Sequence, residues 1–268
     1  MTALPTFFIG PLGISNPDTF FGRVQPGSKR AIFLHHIFGN SAPSSTKAVV
    51  AMAAVVRAHE AAHQPLHPVA LADWRTKLNR LRDPASGLLG HQIDVFGHVL
   101  EGPRGSSQAI IQAYWPDIDP QGAAEQWQRF TGLFLVREWG LVGVREHPIG
   151  TDAAGDVDSG PLIAGVSASA SAVTLAAARR NGDADLAATL DHEAEYLGLP
   201  LEWSGERRFA FGLLPVGDAF VAWARGVPLK PVPSPVTPQP QWWWHALVLL
   251  LPAALAGGWL LGSVRKRQ

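Results

Sequence analysis

The chain has 268 residues, of which 47% are hydrophobic and 16% charged, and this balance predicts a folded protein with a sizeable core. Its formal net charge is zero, so nothing indicates that it binds nucleic acid. Cysteine is absent, which excludes disulfide bonds, thiolate nucleophiles and zinc held by thiolates.

The first predicted helix begins near Ser45, after residues 1–44, whose structure the sequence leaves uncertain. This helix ends in a pattern with His59 and His63 one turn apart and Glu60 between them. In that pattern the histidines bind zinc and the glutamate acts as general base. Prolines follow closely, and histidines at the C-terminal end of a helix also have a purely structural use. Zinc is therefore an alternative prediction, and no metal or other cofactor is favoured.

Helix starts marked by glycine or serine recur near Ser45, Gly105, Gly160 and Gly217, at intervals of 60, 55 and 57 residues. These intervals are the length of a helical hairpin. Each start precedes an apolar helix, and a more amphipathic helix follows each of the first three. The pattern predicts an all-α fold, with helical hairpins arranged as an (α/α) toroid over residues 45–226. About four inner helices are visible, so the ring is expected to be open, truncated, or completed by the N-terminal segment.

All inner helices of such a toroid start on the same face, so the loops that precede them are expected to meet at one rim. The polar residues predicted to converge there are His91, Asp94, Glu101, Arg104, Arg145 and His147. This rim is the predicted functional face.

Asp156 and Asp158 lie directly before the third inner helix, in the sequence GDVDSG. Two neighbouring carboxylates repel when both are ionised, so one can donate a proton while the other stays charged. Glycosyl chemistry requires this division between acid and base. The predicted catalytic residues are Asp156, Asp158, His91 and Glu101. Alternatively, the aspartates and the following serine only cap the helix.

Arg104 lies in the sequence PRGSS, where glycine permits close approach and the serines can cap a helix. An anionic group of a substrate could therefore contact both the guanidinium and the helix N-terminus. The predicted substrate-binding residues are Arg104, Ser106, Arg145, Asp94 and Ser159. Alternatively, Arg104 forms a salt bridge with an aspartate that holds two loops together.

Five segments of the chain carry a resemblance: ASGLLGHQID, EGPRGSSQA, GVREHPIG, GDVDSGPLIAGVSASA and GLLPVGDAFVAWA. They resemble a family of uncharacterised bacterial membrane-anchored toroid proteins, over roughly residues 45–225. More distantly, the arrangement is similar to six-hairpin glycosidases, toroidal uronyl lyases and epimerases, and linalool dehydratase-isomerase. The resemblance implies the toroid fold. It implies no reaction, because no catalytic motif of those enzymes matches and the cysteines of the last are absent.

The C-terminal part of the chain predicts a membrane anchor. Residues 227–241 form a proline-rich linker of extended conformation. Residues 242–262 are apolar except for His245 and are long enough for a transmembrane helix. A basic tail, 263–268, follows. The positive-inside rule then favours a single-pass membrane protein with a cytoplasmic tail and an extracytoplasmic domain. The alternative is a tail-anchored protein with a cytoplasmic domain, because the N-terminal residues do not resemble an export signal.

These features predict a membrane-anchored domain that binds a polysaccharide, an anionic glycan or another small anionic substrate. If it is an enzyme, it modifies that glycan by carboxylate acid/base chemistry, as a glycosidase, lyase or epimerase does. Two alternatives stay open. One is a zinc metallopeptidase that uses His59, Glu60 and His63, and the other is a non-catalytic helical scaffold that binds a membrane partner through the rim.

Overall fold

The computed structural model describes residues 44–64, 66, 68–94, 96–138, 140–155, 159–209 and 215–230. The predicted N-terminal segment except Ser44, most of the proline-rich linker, the apolar segment and the basic tail lie outside these residues.

The described residues contain seven helices. They are α1 (Ser45–Ala61), α2 (Pro68–Asn79), α3 (Gly105–Ile118), α4 (Ala123–Phe134), α5 (Ala168–Asn181), α6 (Ala184–Leu197) and α7 (Pro215–Gly226). The odd-numbered helices pack in chain order, α1 against α3, α3 against α5 and α5 against α7. Helix α4 packs against α3, and α6 packs against α5.

Small side chains bring the central helices together. Ala109 and Ala113 of α3 are buried in the same hydrophobic cluster as Ala170 and Ala177 of α5. Alanine allows the helix axes to approach closely, so these two helices form the middle of the core. A second cluster lies on the other side of α3, where Trp74 and its neighbours on α2 pack against α1 and α3.

The described residues also contain eight short strands, which form three antiparallel sheets. They are β1 (Gln92–Ile93), β2 (Val99–Glu101), β3 (Leu135–Glu138), β4 (Leu141–Arg145), β5 (Leu162–Ile163), β6 (Val166–Ser167), β7 (Leu201–Trp203) and β8 (Glu206–Arg208). Strands β1 and β2 pair, β7 and β8 pair, and the remaining four form a sheet in the order β3-β4-β6-β5.

The prediction of an all-α toroid is therefore wrong, and the fold is mixed α/β. The strands have only two to five residues, too few for alternating polar and apolar positions to stand out in the sequence. Two glycines mark these connections. Gly165 and Gly205 form hairpin turns, each with a φ of 79° that favours glycine.

One predicted helix start is also wrong. The third inner helix does not begin near Gly160, because residues 162–167 form the β5–β6 hairpin. Helix α5 begins at Ala168, and the Ser167 hydroxyl caps it by accepting a hydrogen bond from the Ala170 amide at 3.1 Å. The glycine that was taken for a helix start thus precedes a hairpin.

The predicted membrane architecture is corrected as well. No helix within the described residues is long and apolar enough to cross a bilayer. Residues 242–262, for which the spanning helix was predicted, lie outside those residues. The structure gives no support to a single-pass protein with an extracytoplasmic domain, and that assignment is withdrawn.

Candidate functional site

The N-terminus of α3 is held by a backbone contact that requires glycine. The Gly105 amide donates a hydrogen bond to the Glu146 carbonyl at 2.8 Å. A Cβ atom at position 105 would lie 1.9 Å from the carbonyl oxygen of Arg145, so a larger residue does not fit. The start of α3 is therefore fixed against the segment that follows β4.

The side chain of Glu146 caps the same helix end. Its carboxylate accepts hydrogen bonds from the Ser106 amide at 3.1 Å and from the Ser106 hydroxyl at 2.8 Å. Glu146 is 0% exposed, and the amide end of a helix stabilises a negative charge there. The anion site predicted at this helix end is thus filled by a carboxylate of the protein itself.

His91 contacts the first turn of α3 from the start of the β1–β2 hairpin. Its Nδ1 atom and the Ser107 hydroxyl form a short hydrogen bond. The His91 amide also donates to the carbonyl of Glu101 at 2.9 Å, which fixes the backbone beside β2. Ser107 is buried whereas His91 is half-buried, so the imidazole lies between the helix and the protein surface.

Arg104 pairs with a carboxylate of the same loop. Its Nε atom donates to Glu101 Oε1 at 2.5 Å, and the two side chains are 14% and 30% exposed. Among the described residues, Arg104 pairs with this glutamate, and its predicted salt bridge with an aspartate stays a prediction. We call the residues gathered at this helix end the α3 cluster: His91, Glu101, Arg104, Ser106, Ser107 and Glu146.

Arg145 holds a neighbouring loop. Its guanidinium donates to the carbonyl oxygens of Ala164 at 3.1 Å and Thr151 at 3.0 Å, and it contacts Asp152 at 2.9 Å. His147 bonds the carbonyl of Ala154 in the same loop at 3.1 Å. Both side chains thus bind loop backbone rather than converging on the α3 cluster.

Asp94 lies at the turn of the β1–β2 hairpin. It accepts hydrogen bonds from the amides of Phe96 and His98, both at 2.8 Å, and contacts His98 Nδ1 at 2.7 Å. The backbone hydrogen bond from His98 lowers the pKa of Asp94 below its ordinary value. This carboxylate stabilises its own turn, and no described contact joins it to the α3 cluster.

Ser159 precedes the β5–β6 hairpin. Its carbonyl accepts hydrogen bonds from the hydroxyls of Ser167 at 2.7 Å and Ser169 at 3.1 Å, which tie it to the start of α5. The two residues predicted as acid and base, Asp156 and Asp158, lie outside the described residues. Their catalytic role stays a prediction.

The predicted zinc motif spans the end of α1. The helix ends at Ala61, and His63 follows it with a φ of 53°, so His59 and His63 do not lie one turn apart on a single helical face. His59 Nδ1 bonds the carbonyl of Gln64 at 2.9 Å, whereas Glu60 is exposed. Within the described residues, no three histidine, aspartate or glutamate side chains are arranged to hold a metal ion.

A second buried carboxylate lies on α6. Glu193 is 7% exposed and accepts a hydrogen bond from the Val142 amide of β4 at 2.7 Å. Burial raises its pKa to about 7, although that bond and the charge of Arg137 act in the opposite direction. Glu193 lies on an amphipathic helix, and only its position in the fold shows that it is buried.

Comparison with known proteins adds no assignment to this geometry. No family model matches the chain, and no curated protein matches it. The resemblance to toroid proteins stays a prediction.

Proposed function

We propose that the α3 cluster is an acid/base site that acts on hydroxyl groups of a glycan. The hydrogen bond between His91 and Ser107 carries this proposal. Imidazole is the side chain that ordinarily exchanges protons in the neutral pH range, and a half-buried position leaves it within reach of a ligand.

The bond to Ser107 also sets which ring nitrogen can take part in proton transfer. When Nδ1–H donates to the Ser107 hydroxyl oxygen, the lone pair of the neutral imidazole lies on Nε2. Nε2 then accepts a proton from a sugar hydroxyl, which gives the imidazolium, and the imidazolium returns that proton to a substrate oxygen in the reverse step. In this proposal His91 is the proton-transfer residue and Ser107 orients it.

The internal carboxylates favour a neutral glycan over an anionic one. Glu146 occupies the amide end of α3, and Glu101 pairs with Arg104. A uronate or phosphate group would have to compete with these carboxylates for the same donors. Sugar hydroxyls both donate and accept hydrogen bonds, so they can add to the cluster without displacing either glutamate.

The proposal also gives acid and base roles to the carboxyl groups of Asp156 and Asp158. They directly precede Ser159, which is tied to the start of α5 as described above. If the two carboxyl groups lie on opposite sides of a glycosidic bond, they supply the acid and the base for its cleavage, whereas His91 exchanges a proton with a sugar hydroxyl.

Calorimetric titration of the full-length protein with cellohexaose and with hexagalacturonate tests the proposal. We expect cellohexaose to bind, and His91→Asn to weaken that binding about tenfold, a loss of about 1.4 kcal/mol. His98→Asn is the matched control, because His98 lies in the same hairpin and contacts Asp94 instead of the cluster. Equal binding by both variants, or binding of hexagalacturonate alone, would refute the proposed site.

A further inference from the structure

Helix α3 carries a row of buried polar side chains on one face. Gln108, Gln112 and Trp115 occur at a spacing of four and three residues, so they lie above one another along the helix. Their exposed fractions are 0%, 0% and 1%. A buried row of this kind is unusual, because glutamine is a residue type found mostly at the protein surface.

Most of the polar atoms in this row have no protein partner. In the described part of the chain, neither Oε1 nor Nε2 of Gln112 forms a hydrogen bond, and the same holds for Gln108 Oε1 and Trp115 Nε1. The exception is Gln108 Nε2, which donates to the Leu89 carbonyl at 2.7 Å. Gln112 therefore presents two donor hydrogens and an acceptor oxygen to the interior with nothing bonded to them.

The surroundings of this row combine polar and apolar groups. Trp115 belongs to the hydrophobic cluster that α2 forms with α1 and α3. The segment that contains Arg82 and Leu89 passes beside the row, since the Arg82 guanidinium lies 5.3 Å from the centre of the Trp115 ring. Arg82 donates to Gln126 Oε1 of α4 at 2.5 Å and to the Gly87 carbonyl at 2.7 Å. Burial lowers the pKa of Arg82, which agrees with a site screened from bulk solvent.

We infer that α3, α4 and the segment between Arg82 and Leu89 enclose an internal site that binds ordered water at Gln112. A buried polar atom without a hydrogen bond is costly, and native proteins satisfy nearly all such atoms. The ligand has to accept from the Gln112 amide and donate to its oxygen. Water does both in the smallest volume, and a buried water commonly makes about three such bonds.

This site is independent of the proposed glycan chemistry. It lies where α3 faces α4 and the segment between Arg82 and Leu89, whereas the α3 cluster lies at the N-terminus of the helix. Bound water would connect the middle of α3 to its neighbours in place of direct protein contacts, so it would contribute to the stability of the helix rather than to ligand binding.

NMR cross-relaxation between protein and solvent tests the inference in the full-length, isotope-labelled protein. We expect the side-chain amide protons of Gln112 to show cross-peaks to water with the sign of a long-lived bound molecule. Loss of these signals in Gln112→Met assigns them. Cross-peaks from that amide to protein protons alone would overturn the inference.

Thermal unfolding gives a second, separate test. If water satisfies the amide, Gln112→Met leaves that water without its hydrogen-bond partner and lowers the unfolding midpoint. In a chain of this size, each kilocalorie per mole of lost stability lowers the midpoint by about 2 to 4 °C. If the amide is dry, methionine removes unsatisfied polar atoms and the midpoint rises, which would contradict the inference. Gln128→Met on the exposed side of α4 is the control for the same chemical change and should leave the midpoint unchanged.

Discussion

Replacement of Glu193 by glutamine should change how the stability of the protein depends on pH. In the folded protein the pKa of this carboxyl is about 7, against an ordinary value of 4.5. Its protonated form is thus the one that the fold favours. The free energy of unfolding carries the full contribution of this group below about pH 4.5 and loses it as the pH rises through 7.

The size of the effect follows from the same two values. At about 1.4 kcal/mol for each pKa unit, the ionised form of Glu193 costs the folded state at most about 3 kcal/mol. Glu193→Gln removes the charge and keeps an oxygen that can accept from the Val142 amide. The variant should therefore gain on the parent protein with rising pH, by up to about 3 kcal/mol between pH 4 and pH 8.

Urea unfolding followed by tryptophan fluorescence, at a series of pH values, measures this difference. Glu125→Gln is the matched control, because Glu125 is exposed and forms a surface ion pair with Arg129 at 2.9 Å. Parallel stability profiles for the parent protein and Glu193→Gln would refute the argument, since they would mean that Glu193 is ionised at little cost in the folded protein.

Three further changes test the start of α3 by urea unfolding. Gly105→Ala should lower the free energy of unfolding by more than about 2 kcal/mol, because its Cβ would collide with the Arg145 carbonyl; an unchanged midpoint would show that this contact is looser than the structure has it. Glu146→Ala should cost about 2 to 3 kcal/mol, because the Ser106 amide and hydroxyl lose a buried charged partner. Ser106→Ala should cost less, and an equal cost would mean that the charge of Glu146 contributes little.

Part of the α3 cluster could be predicted from the sequence. His91, Glu101, Arg104 and Ser106 were singled out as polar residues in loops next to a helix start, and the structure places all four at that start. Arg145 also came from a predicted rim loop, yet it holds the backbone of a neighbouring loop. The sequence shows locally that a residue lies near a helix start. The direction in which a long side chain points depends on the rest of the fold.

The residues that were missed depend on contacts between distant parts of the chain. Ser107 lies 16 residues from its partner His91, and Glu146 lies 40 residues from Ser106. The local signals for these two residues are weak. Ser107 directly follows Ser106, and Glu146 lies between Arg145 and His147. Neither indicates a partner until the chain is folded.

Most helix positions could be predicted from the amino-acid sequence, because small apolar side chains at helical spacing and capping residues act within a few residues of one another. An amphipathic helix is predicted after the first inner helix, and Trp74 and Leu78 of α2 belong to one core cluster. The β-hairpins in the connections and the burial of Glu146 and Glu193 are evident only from the folded structure. Strand pairing and the burial of a charge depend on which distant segments pack together, and in this chain no short stretch of sequence carries that information.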